Sequence, residues 1–163
     1  SVIRDFLKSI KTERSNIIIL DQLEDSQNVG AIFRSALAFN IDGIILTENQ
    51  SVNENHFMTK TACGGIDKVP FTSVSNLSSA LRTLKENGYW VYGLDGNGDK
   101  KITDTDFAKK SVFVFGSESD GMRHLTKSSC DEIVKIEISN NLESLNVSNS
   151  AAVLFFYLNS NIN

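Results

Sequence analysis

Six short segments of this chain are apolar at almost every position, and nothing else in it restricts the fold as strongly. They are "NIIILDQL" (16–23), "GIILT" (43–47), "KVPFTSV" (68–74), "YWVYGLD" (89–95), "SVFVFGSE" (111–118) and "EIVKIEI" (132–138). Each reads as a strand, and a strand without polar alternation has both faces buried, which requires a sheet covered on both sides. Stretches with helical spacing separate several of these strands, as parallel crossover connections demand. The expected class is α/β: a mostly parallel sheet with helices on both faces. A chain of 163 residues without repeat, low-complexity tract or linker is expected to form one domain with a substantial core.

The helical stretches carry their own punctuation. "NLSSALRTLKENG" places Leu77, Leu81 and Leu84 on one face, with Asn76 as N-cap and Gly88 as the C-terminal stop. "SLNVSNSAAVLFFYL" (144–158) reads as a closing helix. In "NVGAIFRSALAF" (28–39), Val29, Ile32, Phe33, Ala36 and Leu37 form an apolar stripe. Its opposite face holds Gly30, Ala31, Ser35 and Ala38 with one charged residue, Arg34. A solvated face would carry several long charged side chains, so this one is built to be packed against something.

Charge and cysteine content exclude some classes. A net charge of −4 disfavours a nucleic-acid binder that works by bulk electrostatics, although Lys8, Lys11 and Arg14 cluster near the start and Lys100, Lys101, Lys109 and Lys110 mid-chain. No run approaches the roughly 18 apolar residues of a membrane span, and no signal peptide is visible. Cys63 and Cys130 are far apart and fit neither a disulfide framework nor a metal motif. Reduced thiols and a cytoplasmic location are expected.

In a parallel sheet, ligands bind beyond the carboxyl ends of the strands, so the segments after Leu20, Thr47, Leu94, Phe115 and Ile136 are the ones to inspect. "DGNGDKKITDTDF" (95–107) spaces Asp95, Asn97, Asp99 and Asp106 like a calcium loop. However, Lys100 stands where the turn needs glycine, Asp106 replaces the usual Glu, and a strand rather than a helix precedes it. It reads as a polar surface loop. "FGSESDGMR" (115–123) has two glycines that let backbone approach a ligand, but neither the dinucleotide nor the Walker pattern. "ESLNVSNSAA" (143–152) crowds Ser144, Asn146, Ser148, Asn149 and Ser150 at a helix start. Either one of them caps the helix, or they form a hydrogen-bonding surface for a ligand.

"DSQNVGAIFRSA" (25–36), "VFGSESDGMR" (114–123) and "IEISNNLESLNVSNSAA" (136–152) resemble, in order and spacing, the three motifs of the SpoU (TrmH-like) class of SPOUT RNA 2′-O-methyltransferases. The resemblance runs from about Ile17 to Tyr157. "KTACGGIDKVPFTSVSNL" looks most like the bacterial enzymes that methylate a guanosine of 23S ribosomal RNA. The chain departs from the pattern at Ser26, Ser119, Glu137 and Asn149, where proline, glycine, proline and a small apolar residue are common.

The resemblance implies a single catalytic domain over residues 1–163, with about 1–15 as an N-terminal helix or linker. The separate RNA-recognition domain of many members is not expected within it. It implies a C-terminal trefoil knot, a homodimer, RNA as partner, S-adenosylmethionine (AdoMet) as methyl donor, and neither a metal nor a membrane. By matching positions, Leu94, Gly116, Ile136 and Leu145 would contact AdoMet. Arg34, Asn28, Glu118, Ser144 and Asn146 would be the catalytic set, with Arg34 reaching the donor across the subunit interface. The same likeness leaves open transfer RNA as substrate, or an inactive RNA-binding dimer of the same fold.

Overall fold

The structure, a computed structural model, describes residues 2–10, 13–47, 68–116 and 122–161. Cys63, Lys11, Glu118, Ser119 and the first part of "KTACGGIDKV" lie outside the described residues. Seven strands form one sheet: β1 (Ser15–Leu20), β2 (Gly43–Thr47), β3 (Phe71–Val74), β4 (Trp90–Leu94), β5 (Lys100–Lys101), β6 (Lys110–Phe115) and β7 (Glu132–Lys135). Their order is β3-β2-β1-β6-β4-β7-β5, and every pairing is parallel.

Helices cover both faces, as the doubly apolar strands require. Ile18, Leu20, Phe113 and Phe115 point to one side, beneath α2 (Ser26–Ala38) and α5 (Val147–Ser160), where they meet Phe33, Leu154 and Phe155. Ile17, Ile19, Val112 and Val114 point to the other, packed with Ile3 and Phe6 of α1 (Val2–Lys8) and Leu77, Leu81 and Leu84 of α3 (Leu77–Glu86). The switch of face at each successive residue is the pleat of the strands. A short α4 (His124–Ser129) follows the segment after β6.

The helix punctuation is as expected for α3: the Asn76 side chain accepts from the Ser79 amide (2.9 Å), and Gly88 adopts a left-handed φ of 89°. α2 starts two residues earlier than Asn28. Asp25 is its N-cap, accepting from the amides of Gln27 (2.8 Å) and Asn28 (3.4 Å). Leu37 does not belong to the buried stripe and is 39% exposed. It lies about 40° further round the helix than Phe33, on the side of Arg34. α5 begins at Val147 rather than Ser144, because Asn146 is its cap.

Several strands are shorter than their apolar runs. β1 stops at Leu20, where Asp21 is ion-paired and Gln22 turns the chain with a left-handed φ of 58°. β6 stops at Phe115, and β3 starts only at Phe71. β7 stops at Lys135, so that Ile136 and Ile138 belong to a loop.

Strand β5 was not legible, since two lysines at a sheet edge offer no apolar alternation. Its position matters: β7 lies between β4 and β5, so the chain leaving β4 passes beyond β7 before returning to β6 in the middle of the sheet. The Asp95 amide bonds the Val134 carbonyl (3.0 Å) and the Asp99 amide the Ile133 carbonyl (3.1 Å). Between them Gly98 lies against β7, where an added Cβ would sit 2.6 Å from the Val134 carbonyl carbon. The returning limb is pinned by Phe107, edge-on to Tyr92 (4.9 Å) and Phe113 (5.2 Å), and by the Ala108 amide on the Tyr92 hydroxyl (3.0 Å). Cys130 is a half-buried free thiol whose Sγ donates to the Thr126 carbonyl (3.3 Å), and burial pushes its pKa up to about 11.

Because the atoms facing Gly98 are backbone, Gly98→Ala is expected to destabilise the protein by about 1–3 kcal/mol. Gly96, with nothing within 4 Å of an added Cβ, should accept alanine at little cost. Urea denaturation of the two variants beside the parent checks the contrast.

Candidate functional site

A half-open cavity of about 460 Å³ lies beyond the carboxyl ends of β4, β6 and β7. Its wall is formed by the residues that end or follow these strands: Leu94 and Asp95, Phe115 and Gly116, and Lys135 through Ile138. The segment leading into α5 closes another side with Glu143, Ser144, Leu145 and Asn146, followed by Val147 and Ser150. The parallel sheet explains this convergence, since all its strands deliver their following loops to one edge.

The expected site residues divide into two groups. Leu94, Gly116, Ile136, Leu145, Ser144 and Asn146 all line the cavity. Asn28 and Arg34 do not. Asn28 is buried in the first turn of α2, and Arg34 is exposed on the outer arc of that helix beside Ala31 and Ala38. Glu118 lies outside the described residues.

The crowd of polar residues before α5 does two things at once. Asn146 is the cap, its Oδ1 accepting from the Ser148 amide (2.8 Å) and the Ser148 hydroxyl (2.6 Å). One cap satisfies the helix start, which leaves the Ser144 and Ser150 side chains at the cavity. Asn149 is exposed.

Two carboxylates of the cavity wall, Glu137 and Asp95, are ion-paired. Glu137 meets Lys101 of β5 at 2.7 Å. That contact holds the Glu137 carboxyl below, and the Lys101 ammonium above, its ordinary range. Asp95, the first residue of the apparent calcium loop, is otherwise engaged. Its carboxylate accepts from the Asn97 amide (2.8 Å) and the Met122 amide (3.5 Å), and pairs with Lys127 of α4 (3.1 Å). Burial alone would raise the Asp95 pKa, but the Asn97 amide, Lys127 and the Met122 amide outweigh it and hold the carboxyl below 3.8.

The motif reading passed over two carboxylates at strand ends, Asp95 as an ion-pair partner and Asp21. Asp21 is 3% exposed, accepts from the Thr47 hydroxyl (3.1 Å), and pairs with Arg123 at 2.9 Å. The available signal was position: a charged residue directly after an all-apolar strand is buried and needs a partner.

The model of the SpoU rRNA methylase family matches residues 15–156, and this chain belongs to that family. A 23S rRNA (guanosine-2'-O-)-methyltransferase RlmB from Xanthomonas campestris pv. campestris is 37% identical over 143 residues, covering 88% of this chain and 57% of that protein. Its namesake from Neisseria meningitidis serogroup B is 36% identical over 152 residues, covering 93% and 60%. The chain thus spans somewhat more than half the length of these relatives. Among solved structures, the SpoU methyltransferase AviRb from Streptomyces viridochromogenes, in complex with AdoMet, superposes with a TM-score of 0.84. That match covers 94% of this chain and 63% of AviRb at 22% identity, a likeness of fold.

The Asp95 pairing predicts a pH signature. A carboxyl whose folded pKa lies below its unfolded value stabilises the fold above the unfolded value, near 3.8, and loses that contribution as pH falls through the folded one. Asp95→Asn is therefore expected to lower stability at neutral pH, with the gap to the parent closing below about pH 4. Denaturation midpoints of both proteins across this range test it.

Proposed function

We propose that this chain is the catalytic part of an AdoMet-dependent RNA ribose 2′-O-methyltransferase that acts in the cytoplasm on a guanosine of 23S ribosomal RNA. The observation that carries this reading is the cavity at the strand ends, whose wall includes residues from the second and third motif segments. The family, and the activity named for the RlmB relatives, support the reaction and the RNA.

The cavity fits the donor on its own features. Its volume is that of a small-molecule site. Its wall at Leu94, Gly116, Ile136 and Leu145 offers apolar side chains and loop backbone, suited to holding an adenosine by main-chain groups. Bound there, AdoMet would supply a methyl group already activated on a sulfonium, so no metal is needed.

The ribose 2′-hydroxyl is a weak nucleophile until its proton leaves. Taking a proton from a guanidinium is costly, so Arg34 acts by stabilising the developing alkoxide while water or phosphate takes the proton. Asn28, Ser144 and Asn146 hold the ribose or the Arg34 side chain, and Glu118 orients Arg34 or Asn28.

Arg34 is outside the cavity of its own chain, and a second copy of the chain is the source of the missing group. The surface that supports a dimer is the exposed apolar patch of α2 and α5: Leu37 (39% exposed), Val153 (43%) and Phe156 (59%). Small residues around Arg34 permit close approach. The passage of β4–β5–β6 around β7 is the arrangement a trefoil knot needs, and the chain from Ile136 to α5 is the segment read as threaded.

Incubation of total RNA with labelled AdoMet, followed by mapping of the modified ribose, tests substrate and reaction together. Label in a 23S guanosine is expected; label confined to transfer RNA would replace the substrate, and no label in any RNA would overturn the reading. Arg34→Ala should lower the rate about 10²- to 10³-fold with AdoMet affinity nearly intact. Arg34→Lys should lose most activity too, since lysine keeps the charge but not the planar fork. Light scattering should give twice the chain mass for the parent, whereas Phe156→Arg, which charges the patch, should shift it toward monomer.

A further inference from the structure

Asp21 is a buried carboxylate that neither the cavity nor the proposed chemistry uses, yet it joins four parts of the structure. It directly follows β1, and its amide donates to the Phe115 carbonyl (2.8 Å), one residue before Gly116 at the cavity wall. Its Oδ1 accepts from the Thr47 hydroxyl at the end of β2 (3.1 Å). One nitrogen of Arg123, Nη2, contacts both carboxylate oxygens, at 2.9 and 3.3 Å. Asp21 is 4% exposed at its side chain and Arg123 is 53% exposed, so the pair sits at the border of the core.

The next residue shows what this assembly holds. Gln22 has a φ of 58°, a conformation uncommon for a residue with a side chain, and its amide donates to the Thr47 hydroxyl (2.8 Å). Such a conformation persists only where its surroundings enforce it. Asp21, Thr47 and Gln22 form a closed hydrogen-bonded turn, and Arg123 locks the carboxylate at its centre. From this turn the chain runs through Asp25, the N-cap of α2, to Asn28 and Arg34.

We infer that the Asp21–Arg123 ion pair, with Thr47, is a positioning element that sets α2, and with it Asn28 and Arg34, on the strand ends of its own chain, and so fixes where Arg34 is presented to the cavity of a second copy. This rests on the methyl-transfer reading for its catalytic consequence and on geometry alone for its structural one. Neither Asp21 nor Arg123 touches a reacting atom; both act through the turn at Gln22. Removing the guanidinium leaves a buried carboxylate without its cationic partner, and the turn relaxes. A small misplacement of a group that serves the transition state lowers turnover more than it lowers cofactor binding.

The test compares the parent with Arg123→Met, Arg123→Lys and Thr47→Val, by two readouts. Amide hydrogen exchange reports the turn. Arg123→Met should accelerate exchange in the peptide spanning Gln22 to Arg34 more than in β4 or β6. Steady-state kinetics report the consequence: kcat should fall roughly tenfold or more while AdoMet affinity stays within about threefold. Because a single nitrogen makes both contacts, Arg123→Lys should restore much of the protection and turnover. Thr47→Val, which keeps the ion pair, should give a smaller loss of the same kind.

Unchanged exchange at Gln22–Arg34 in Arg123→Met would overturn the inference. So would faster exchange with unaltered kcat in an active parent, or a loss confined to melting temperature. Should Arg123→Met fail to fold, Thr47→Val and Arg123→Lys decide by the same two criteria. A parent without methyl transfer on any RNA would instead defeat the enzymatic reading, while the exchange measurements would still decide whether the pair holds the turn.

Discussion

Parallel pairing of β6 between β1 and β4 is the constraint on which the rest of the molecule depends. Because the strands run the same way, every loop that follows one emerges at the same edge. Because they are apolar on both faces, helices must cover both sides and leave that edge as the place where backbone and polar groups converge. The cavity wall from Leu94, Gly116 and Ile136 follows from this arrangement without any further device.

The strand order adds a second constraint. Placing β7 between β4 and β5 sends the β4–β5–β6 connection around it, close enough that Gly98 meets the backbone of Val134. The aromatic group of Phe107, Tyr92 and Phe113 then fixes the return of the chain into the sheet centre. The loop from Ile136 to Asn146 thus starts from a strand enclosed by its neighbours, and the Lys101–Glu137 pair ties it to the edge strand. At Glu137, one of the positions where the sequence departs from the pattern it resembles, the structure has this charged contact. Nothing in the described structure explains Asn149, which is exposed.

Buried carboxylates at the strand ends organise this edge. Asp21 and Asp95 follow β1 and β4, the strands on either side of β6, and both reach the chain that returns after β6, at Arg123 and Met122. A carboxylate there has water on one side and core on the other, and burying it calls for cations and amides as partners. The same gathering draws the ends of β1, β2 and β6 together around Asp21, and brings α4 to the end of β4 through Lys127.

The sequence by itself determined the α/β class, the parallel sheet and six of the seven strands, two of them nearly in place and four shorter than their apolar runs, because doubly buried strands and capped helices leave local, periodic signatures. It also marked Leu94, Gly116, Ile136 and Leu145 as members of one site, since each belongs to a strand end or to a matched motif. Other features were beyond it. β5 has only two lysines and no period. The limits of β1 at Asp21 and of β7 at Lys135 depend on ion pairs and on where neighbouring strands end. Leu37, spaced like a member of the buried stripe, is exposed because of where it stands on a helix packed against α5. The tertiary structure alone decided that Asn28 stands apart from the cavity of its chain, and that Asp21 meets Arg123 from 102 residues away. Such pairings arise from where parallel strands place their ends in space, and no local pattern of residue types records them.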